Sequence, residues 1–269
     1  MTDTQNLHGT AALEAMFARA RAQQRAAFLP YFPIGYPNYA ASLATIKALA
    51  DAGVDGFEIG IPFSDPIADG PTIQAATQIA LEAGTTVRLC LEAVRKLRAQ
   101  GVSQPMLMMG YANPLVAYGT DAFVRDARAA GADGLIVPDL PPEEAAMFAD
   151  ACTREGLALV FMLAPTSNDE RIRLASAKAS GFIYVVSLTG ITGARRELPA
   201  YLKDFIARLR ASTDKPLVLG FGISTPEHAR EVSGLTDGFI VGSALVRAGG
   251  ESVESARDLA ASMVAAIRE

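Results

Sequence analysis

Residues 52–60 read "AGVDGFEIG", and the same pattern returns as "AGADGLIVP" at residues 130–138 and as "GLTDGFIVG" at residues 234–242. Near its start, each copy carries a glycine suited to the left-handed position that ends a helix. An Asp-Gly turn and an apolar run follow, which is typical of a turn that leads into a strand. The repeat therefore predicts a unit of one helix and one strand that recurs along the chain.

Apolar runs of strand length recur throughout the sequence, and a stretch of helical character follows each one. The eight runs are "AFLPYFPIGY", "GFEIGIP", "MLMMGY", "GLIVPDL", "ALVFMLA", "FIYVVSL", "LVLGFGI" and "GFIVGSALV". Continuous apolar strands that alternate with amphipathic helices, such as "DAFVRDARAA" at residues 121–130, are typical of parallel strands covered by helices. The pattern predicts an α/β fold in which residues 1–269 form a single domain, a closed (β/α)8 TIM barrel with an extra N-terminal helix.

A doubly wound open sheet is the alternative arrangement of the same elements. That fold normally places a glycine-rich phosphate loop after its first strand, but here the first run continues as "FPIGYPNYA", without the G-x-G-x-x-G spacing. The longest interval between runs separates the second from the third and contains "PFSDPIADGP" at residues 62–71. Because long loops at the carboxyl ends of barrel strands usually carry function, we expect functional residues there.

The composition disfavours several classes of protein. A formal net charge of −5, with scattered positive residues, provides no basic surface for nucleic acid. Residues 1–24 lack an apolar signal core, and no segment approaches the roughly 18 apolar residues of a membrane span. Cys90 and Cys152 lack metal-ligand spacing and are expected to be free thiols of a reducing compartment. We therefore expect a cytoplasmic protein with a small-molecule partner, which binds neither nucleic acid nor membranes.

Glu58 lies in the middle of an apolar run. Apolar side chains alternate with Gly56, Glu58 and Gly60, so the strand has one apolar face and one face with a carboxylate between two glycines. In a barrel this second face points into the lumen, and the glycines would leave room for a ligand beside the glutamate. A buried carboxylate without a partner is costly, so Glu58 is expected to be paired, exposed at an edge or functional.

Asp69 lies eleven positions after Glu58, in the loop that leaves the same strand, and Asp65 is a further carboxylate of that loop. Two carboxylates in different environments divide acid and base roles, because burial pushes one of them towards its protonated form. The alternative is structural. Glu58 would then pair with a lysine or arginine in the lumen, and Asp69 would cap the helix that begins near Pro71.

Two other kinds of barrel chemistry are disfavoured. A Schiff-base aldolase needs a lysine inside the barrel, whereas every lysine of this chain falls in a helical stretch or just before a strand. These are Lys47, Lys96, Lys178, Lys203 and Lys215. A metal-dependent lyase would use histidine ligands, but His8 falls in the N-terminal segment and His228 in a helix. The remaining chemistry is carboxylate acid–base catalysis without a metal.

Glycines gather at the ends of the last three strands, in "SLTGITGAR", "GFGIST" and "VGSAL". These segments present backbone N–H groups, together with the Ser243 hydroxyl, where (β/α)8 barrels commonly bind phosphate. Such segments on three consecutive strands predict a phosphorylated ligand.

The motif "FEIGIPFSDPIADGPTIQ" at residues 57–74 is followed in order by "MGYANPL", "VPDLP", "YVVSLTGITGAR" and "GFGIS". With these motifs the chain resembles the alpha chain of tryptophan synthase, from about residue 10 to the end. That family is a (β/α)8 barrel that cleaves indole-3-glycerol phosphate to indole and glyceraldehyde 3-phosphate in tryptophan biosynthesis. Its beta chain joins the indole to serine with pyridoxal phosphate. The resemblance implies a carbon–carbon lyase with no cofactor in this chain, in an α2β2 heterotetramer with the beta chain.

The resemblance also implies roles for individual residues, and it implies no metal ligand. The catalytic residues would be Glu58, Asp69 and Tyr184. The phosphate would be bound by Gly193, Gly222, Gly242 and Ser243. The indole pocket would be lined by Tyr31, Met109, Ile136, Phe221 and Thr192, together with Tyr184. The loops that carry Asp65, Pro66, Asn113, Pro114 and Asp139 would form the interface with the beta chain.

Three functions remain open at this point. The first is a lyase that works as one half of a synthase complex, and the second is a free-standing lyase that releases indole. The third is a non-catalytic barrel that senses a phosphorylated ligand. The presence of both Glu58 and Asp69 argues against the sensor, and the proline-containing loops argue for a partner.

Overall fold

Eight parallel strands form a closed barrel, in which neighbours in the chain are neighbours in the sheet and β8 pairs with β1. The structure is a computed structural model that describes residues 7–186, 200–220 and 222–269. The strands are β1 Ala27–Pro33, β2 Phe57–Gly60, β3 Met106–Met109, β4 Gly134–Ile136, β5 Ala158–Leu163, β6 Ile183–Val186, β7 Leu217–Gly220 and β8 Gly238–Val241. Every apolar run identified in the sequence contains one of them. The predicted barrel is confirmed, and the open sheet is wrong.

Helices follow the strands and cover the outside of the barrel. The extra N-terminal helix, α1 Thr10–Ala22, is also confirmed. The others are α2 Tyr39–Asp51, α3 Pro71–Glu82, α4 Val87–Ala99, α5 Ala112–Tyr118, α6 Thr120–Ala130, α7 Ala146–Glu155, α8 Asp169–Lys178, α9 Ala200–Arg210, α10 Pro226–Ser233, α11 Ser243–Glu251 and α12 Val253–Ala266. Within the described ranges, no helix has both the length and the apolar character needed to cross a bilayer.

Short polar side chains begin several of these helices. The Asn38 side chain accepts a hydrogen bond from the N–H of Ala41 at 2.9 Å at the start of α2, and Thr225 accepts one from His228 at 3.3 Å at the start of α10. Each contact satisfies an N–H group that the first helical turn leaves unpaired. Side-chain caps of this kind therefore mark the first residues of α2 and α10.

The glycines of the repeat end two helices as predicted. Gly53 follows α2 with a φ of 88°, and Gly131 follows α6 with a φ of 98°, both in the left-handed region. Gly234, after α10, has a φ of −79°, so the prediction is wrong for the third copy. There the chain stays in right-handed geometry, and the N–H of Leu235 donates to the carbonyl of Val232 at 2.9 Å.

The aspartates of the repeat join neighbouring strands at the amino-terminal end of the barrel. Asp133 accepts the backbone N–H of Met106, the first residue of β3, at 2.9 Å, and its own N–H donates to the Met106 carbonyl at 2.8 Å. Asp55 makes the same two-way contact with β1, and Asp237 makes it with β7. Each carboxylate also pairs with an arginine, as Asp133 does with Arg98 at 2.5 Å. The aspartate of each Asp-Gly pair therefore clamps two neighbouring strands together, a role that the turn prediction did not include.

Helix α1 covers the same end of the barrel. Leu13 and Met16 are fully buried, and the ring of Phe17 meets that of Phe182 edge-on, with ring centres 5.9 Å apart. Burial of an apolar side chain of this size contributes about 1.5–3 kcal/mol to stability. The N–H of Gly9 donates to Asp133 at 2.8 Å and ties the start of α1 to the clamp. Helix α1 therefore packs over the amino-terminal end of the barrel, opposite the loops at the carboxyl ends of the strands.

The strand register decides which side chains share the lumen. Tyr31 on β1 is level with Glu58 on β2 and Leu107 on β3, and partners at one level of a parallel sheet point to the same face. Burial, and then the charge of Glu58, raise the pKa of Tyr184 on β6, which lies on the far side of the barrel. The face that carries Glu58 is therefore the lumen face, as predicted from the alternation in the sequence.

Candidate active site

Glu58 is buried in the lumen, with 2% of its surface exposed. Its Oε2 atom has no hydrogen-bond partner among the residues that the structure describes, and none of the lysines and arginines in those residues forms a salt bridge with it. Cation pairing, the structural alternative for Glu58, is therefore not seen in the described part of the chain. An unpaired buried carboxyl costs free energy, so its presence points to a chemical role.

The protonation of Glu58 follows from its surroundings. Burial, and secondly the charge of Asp69, raise the pKa of Glu58 from 4.5 to about 8. Desolvation acts in this direction because it disfavours the charged form of a carboxyl group. At neutral pH Glu58 therefore carries a proton that it can donate. Its pKa lies close enough to neutral pH for the carboxylate to take a proton back.

Asp69 lies in the loop between β2 and α3, half-buried, and its Oδ2 accepts a hydrogen bond from the hydroxyl of Tyr111 at 3.0 Å. Burial raises the pKa of Asp69 to about 6, and the hydrogen bond from Tyr111 opposes that rise. The residue that caps α3 is Gly70, without a side-chain hydrogen bond, so the capping role considered for Asp69 is wrong. Asp69 is ionised at a pH at which Glu58 is still protonated, which separates a base from an acid.

Two tyrosines fill the lumen beside the carboxylates. Burial, followed by the charges of Asp69 and Glu58, raises the pKa of Tyr31 well above its usual range, and Tyr184 is affected in the same way. A Cβ atom on Gly60 would lie 2.5 Å from the Tyr31 hydroxyl, and one on Gly220 would overlap the Tyr184 ring. The space that the sequence assigned to a ligand beside Gly60 is therefore occupied by the ring of Tyr31. Both hydroxyl groups remain protonated donors at neutral pH.

The apolar wall of the site comes from the next strands. Met109 ends β3 and Ile136 ends β4, level with one another in the register and on the lumen face, and both are buried. With Tyr31 and Tyr184 they surround the region of the carboxylates with apolar surface. The remaining predicted pocket residues, Phe221 and Thr192, lie outside the described residues.

Glycines and a serine lie at the ends of β7 and β8, as predicted for a phosphate site. Gly242 precedes α11 and Ser243 is its first residue, so the unpaired N–H groups of the first turn lie at the carboxyl end of β8. Gly222, after β7, has a φ of 86°, in the left-handed region that favours glycine. Both glycines and Ser243 are half-buried and accessible. Gly193 lies outside the described residues.

The loops after β2, β3 and β4 form one rim at this end of the barrel. Asp65 and Asn113 are exposed, and Pro66 and Pro114 are half-buried. Asp139, after β4, accepts the N–H of Ala112 at 2.8 Å and so joins two of the loops. Asn113 and Pro114 were expected in a loop, but they belong to the short helix α5.

Sequence reasoning missed two features of this end. Ile67, Val116 and Met147 expose 84%, 50% and 56% of their surface, and apolar groups in such positions are suited to a protein partner. The other feature is Tyr111, which lies in the quoted motif "MGYANPL" but received no role. A hydrogen-bonding side chain two residues after a buried strand was the signal that could have identified it.

A cavity of about 300 Å³ lies at the opposite end of the barrel, beside α1. Arg25, one of its lining residues, is buried and directs its hydrogen bonds to Gln23, Ala26 and Asp55. These contacts belong to the Asp55 clamp. This cavity is therefore lined in part by the groups that join β1 and β2 at the amino-terminal end of the barrel.

The fold and the site define a (β/α)8 barrel with a buried carboxyl group in its lumen and a second carboxyl group in the loop that follows the same strand. A family model described as "Tryptophan synthase alpha chain" matches residues 17–269. The chain belongs to the tryptophan synthase alpha chain family.

Similar proteins agree with this assignment. The "Tryptophan synthase alpha chain" of Roseiflexus castenholzii is 54% identical over 230 residues, which cover 86% of this chain and 88% of that one. The protein of the same name from Chloroflexus aggregans is 52% identical over 230 residues, 86% of each chain. A chain of the Mycobacterium tuberculosis tryptophan synthase structure is 40% identical and superimposes with a TM-score of 0.90, covering 96% of this chain and 98% of that one.

Proposed function

We propose that this chain is the alpha subunit of a tryptophan synthase and cleaves indole-3-glycerol phosphate to indole and glyceraldehyde 3-phosphate with Glu58 as its acid–base group. One observation supports this role for Glu58. Its carboxyl group is buried in the lumen without a partner among the described residues, and Asp69 lies close enough to raise the pKa of Glu58. This arrangement supplies a proton donor and a separate anion in one apolar chamber.

The reaction requires one proton to move in each direction. Protonated Glu58 donates its proton to C3 of the indole ring, which leaves positive charge on the ring nitrogen. Ionised Asp69 accepts the indole N–H and balances this charge. The bond between C3 and the glycerol carbon then breaks, its electrons return to the ring, and the glycerol hydroxyl becomes the aldehyde as it loses its proton to Glu58. The carboxyl group is regenerated, so the cycle is balanced without an external acid or base.

The remaining groups bind and orient the substrate in this proposal. The N–H groups at the start of α11, with Gly222, Gly242 and Ser243, bind the phosphate, because a helix N-terminus favours an anion. Met109 and Ile136 contact the indole ring, and Tyr184 positions it by its lumen hydroxyl. Gly193, Phe221 and Thr192 complete the phosphate and indole sites in the proposal.

The partner in the proposal is a tryptophan synthase beta chain that docks on the rim of Asp65, Pro66, Asn113, Pro114 and Asp139. Exposed apolar groups at this end, such as Ile67, support a docking role. We also propose that residues 1–269 form one domain, that the complex is an α2β2 heterotetramer in the cytoplasm, and that pyridoxal phosphate is bound by the beta chain alone.

The test is steady-state cleavage of indole-3-glycerol phosphate by the isolated chain and by the chain saturated with its cognate beta chain. We expect slow cleavage alone and a clear increase with the beta chain, because docking on the rim selects the competent state of the loop that carries Asp69. High turnover that does not change on addition of the beta chain would favour a free-standing lyase. Binding of a glycerol phosphate analogue with no cleavage under either condition would favour the sensor.

A further inference from the structure

Tyr111 holds the loop of Asp69 from the end of the neighbouring strand. Its hydroxyl donates to Asp69 Oδ2 at 3.0 Å and accepts the backbone N–H of Ala68 at 2.9 Å. Its ring is buried, with 2% of the residue exposed, and stacks on Phe63 with ring centres 5.2 Å apart. The phenol group therefore has a fixed position and a fixed donor direction, and it contacts both the side chain of Asp69 and the backbone beside it.

The direction of this hydrogen bond matters for the charge of Asp69. A donor to a carboxylate favours its ionised form, and the Tyr111 contact lowers the pKa of Asp69 against the effect of burial. Burial, and secondly the charge of Asp69, raise the pKa of Tyr111, so the phenol keeps its proton and remains the donor.

The other titratable groups that face Asp69 are Glu58 on β2, Tyr31 on β1 and Tyr184 on β6. Asp139, after β4, faces Tyr111 itself. A negative charge on Glu58 disfavours a second charge on Asp69, whereas Tyr31 and Tyr184 are neutral at the pH of the reaction. Among the described residues, the contact with Tyr111 is the one that lowers the pKa of Asp69.

We propose that Tyr111 is a positioning residue of the cleavage reaction, which holds Asp69 Oδ2 and keeps the carboxylate ionised while Oδ1 stays free to accept the indole N–H. The inference rests on the catalytic role proposed above for Asp69. Tyr111 acts through that carboxylate and does not itself contact the reacting atoms.

The test compares wild type with Tyr111→Phe in complex with the beta chain, by measuring kcat/KM for cleavage of indole-3-glycerol phosphate from pH 5 to pH 9. The variant keeps the buried ring and removes only the hydroxyl. Wild type should lose activity below about pH 6, where Asp69 takes up a proton. Loss of a hydrogen bond to a charged group should move this midpoint up by about one pH unit. The deficit of the variant should then be about fivefold at pH 6 and nearly absent at pH 8.

Tyr118→Phe is the matched control, because Tyr118 donates to the Asp126 carboxylate at 2.7 Å on the outside of the barrel. It should leave the midpoint unchanged. The midpoint does not depend on the amount of folded enzyme, so it still reports on Asp69 if Tyr111→Phe is less stable. A deficit equal at every pH, or an unmoved midpoint, would overturn the role of Tyr111. A wild-type profile without an acid limb near pH 6 would instead overturn the role proposed for Asp69.

Discussion

Glu58→Gln keeps the size of the side chain and removes its transferable proton. Cleavage of indole-3-glycerol phosphate should fall by about 10²–10⁴-fold, the usual contribution of a general acid–base group. Binding of a glycerol phosphate analogue should persist, because the residues proposed to bind the phosphate, Gly222, Gly242 and Ser243, lie after β7 and at the start of α11. Cleavage at a near-native rate would remove Glu58 from the mechanism.

The same substitution should change how stability depends on pH. The pKa of Glu58 is about 8 in the folded chain and 4.5 for an ordinary glutamate, so the folded state holds a proton that the unfolded state releases. The stability linked to this carboxyl is fully present below pH 4.5 and is lost as the pH rises towards 8. One pKa unit corresponds to about 1.4 kcal/mol, so the loss is about 3 kcal/mol at pH 7 and about 5 kcal/mol at pH 9.

Glutamine does not ionise, so the variant escapes this loss. Its free energy of unfolding, minus that of wild type, should become more positive by about 2–3 kcal/mol between pH 5 and pH 7. The chain has no tryptophan, so urea denaturation is followed by far-UV circular dichroism at several pH values. Glu14→Gln, at an exposed position of α1, controls for the change to an amide. A difference that stays constant within about 0.5 kcal/mol over this range would refute the reasoning that burial keeps Glu58 protonated.

Three further substitutions test separate parts of the chain. Asp69→Asn should reduce kcat/KM severely, because a neutral amide does not balance charge on the indole nitrogen; a loss below about tenfold, or 1.4 kcal/mol, would reduce Asp69 to a structural residue. Gly242→Asp should weaken binding of glycerol phosphate in a folded barrel, since a negative charge then lies at the start of α11, and calorimetry that shows unchanged affinity would place the phosphate elsewhere. Asp133→Asn should lower the free energy of unfolding by about 3 kcal/mol, because it breaks the buried ion pair with Arg98. The control Asp121→Asn breaks an exposed ion pair and should lower it by under about 1 kcal/mol; equal losses in urea denaturation would show that the Asp133 contacts do not stabilise the barrel.

The sequence predicted the barrel because its main signals are local. Apolar runs of strand length, each followed by a stretch of helical character, identified the strands, and the alternation around Glu58 placed that side chain in the lumen. Asp69 could be paired with Glu58 because it lies in the loop that leaves the strand of Glu58. These predictions needed no knowledge of contacts between distant parts of the chain.

The features that the sequence did not predict depend on contacts between separate segments. The hydrogen bond from Tyr111 to Asp69 joins residues 42 positions apart and requires two loops to meet in one conformation. Gly56 followed an aspartate and suggested a turn, yet a Cβ there would lie 2.9 Å from the sulfur of the buried Met16, so a side chain at this position would require Met16 to move. A short pattern contains no information about such neighbours.

The contact between Gly60 and Tyr31 restricts the order in which these two positions can be substituted. A Cβ on Gly60 would lie 2.5 Å from the tyrosine hydroxyl and 2.7 Å from its Cζ, so even loss of the hydroxyl leaves too little space. A smaller residue must first replace Tyr31 before any side chain becomes acceptable at Gly60. Within this barrel the side chain at position 31 therefore limits what position 60 can carry, and a substitution of Gly60 alone would displace the Tyr31 ring.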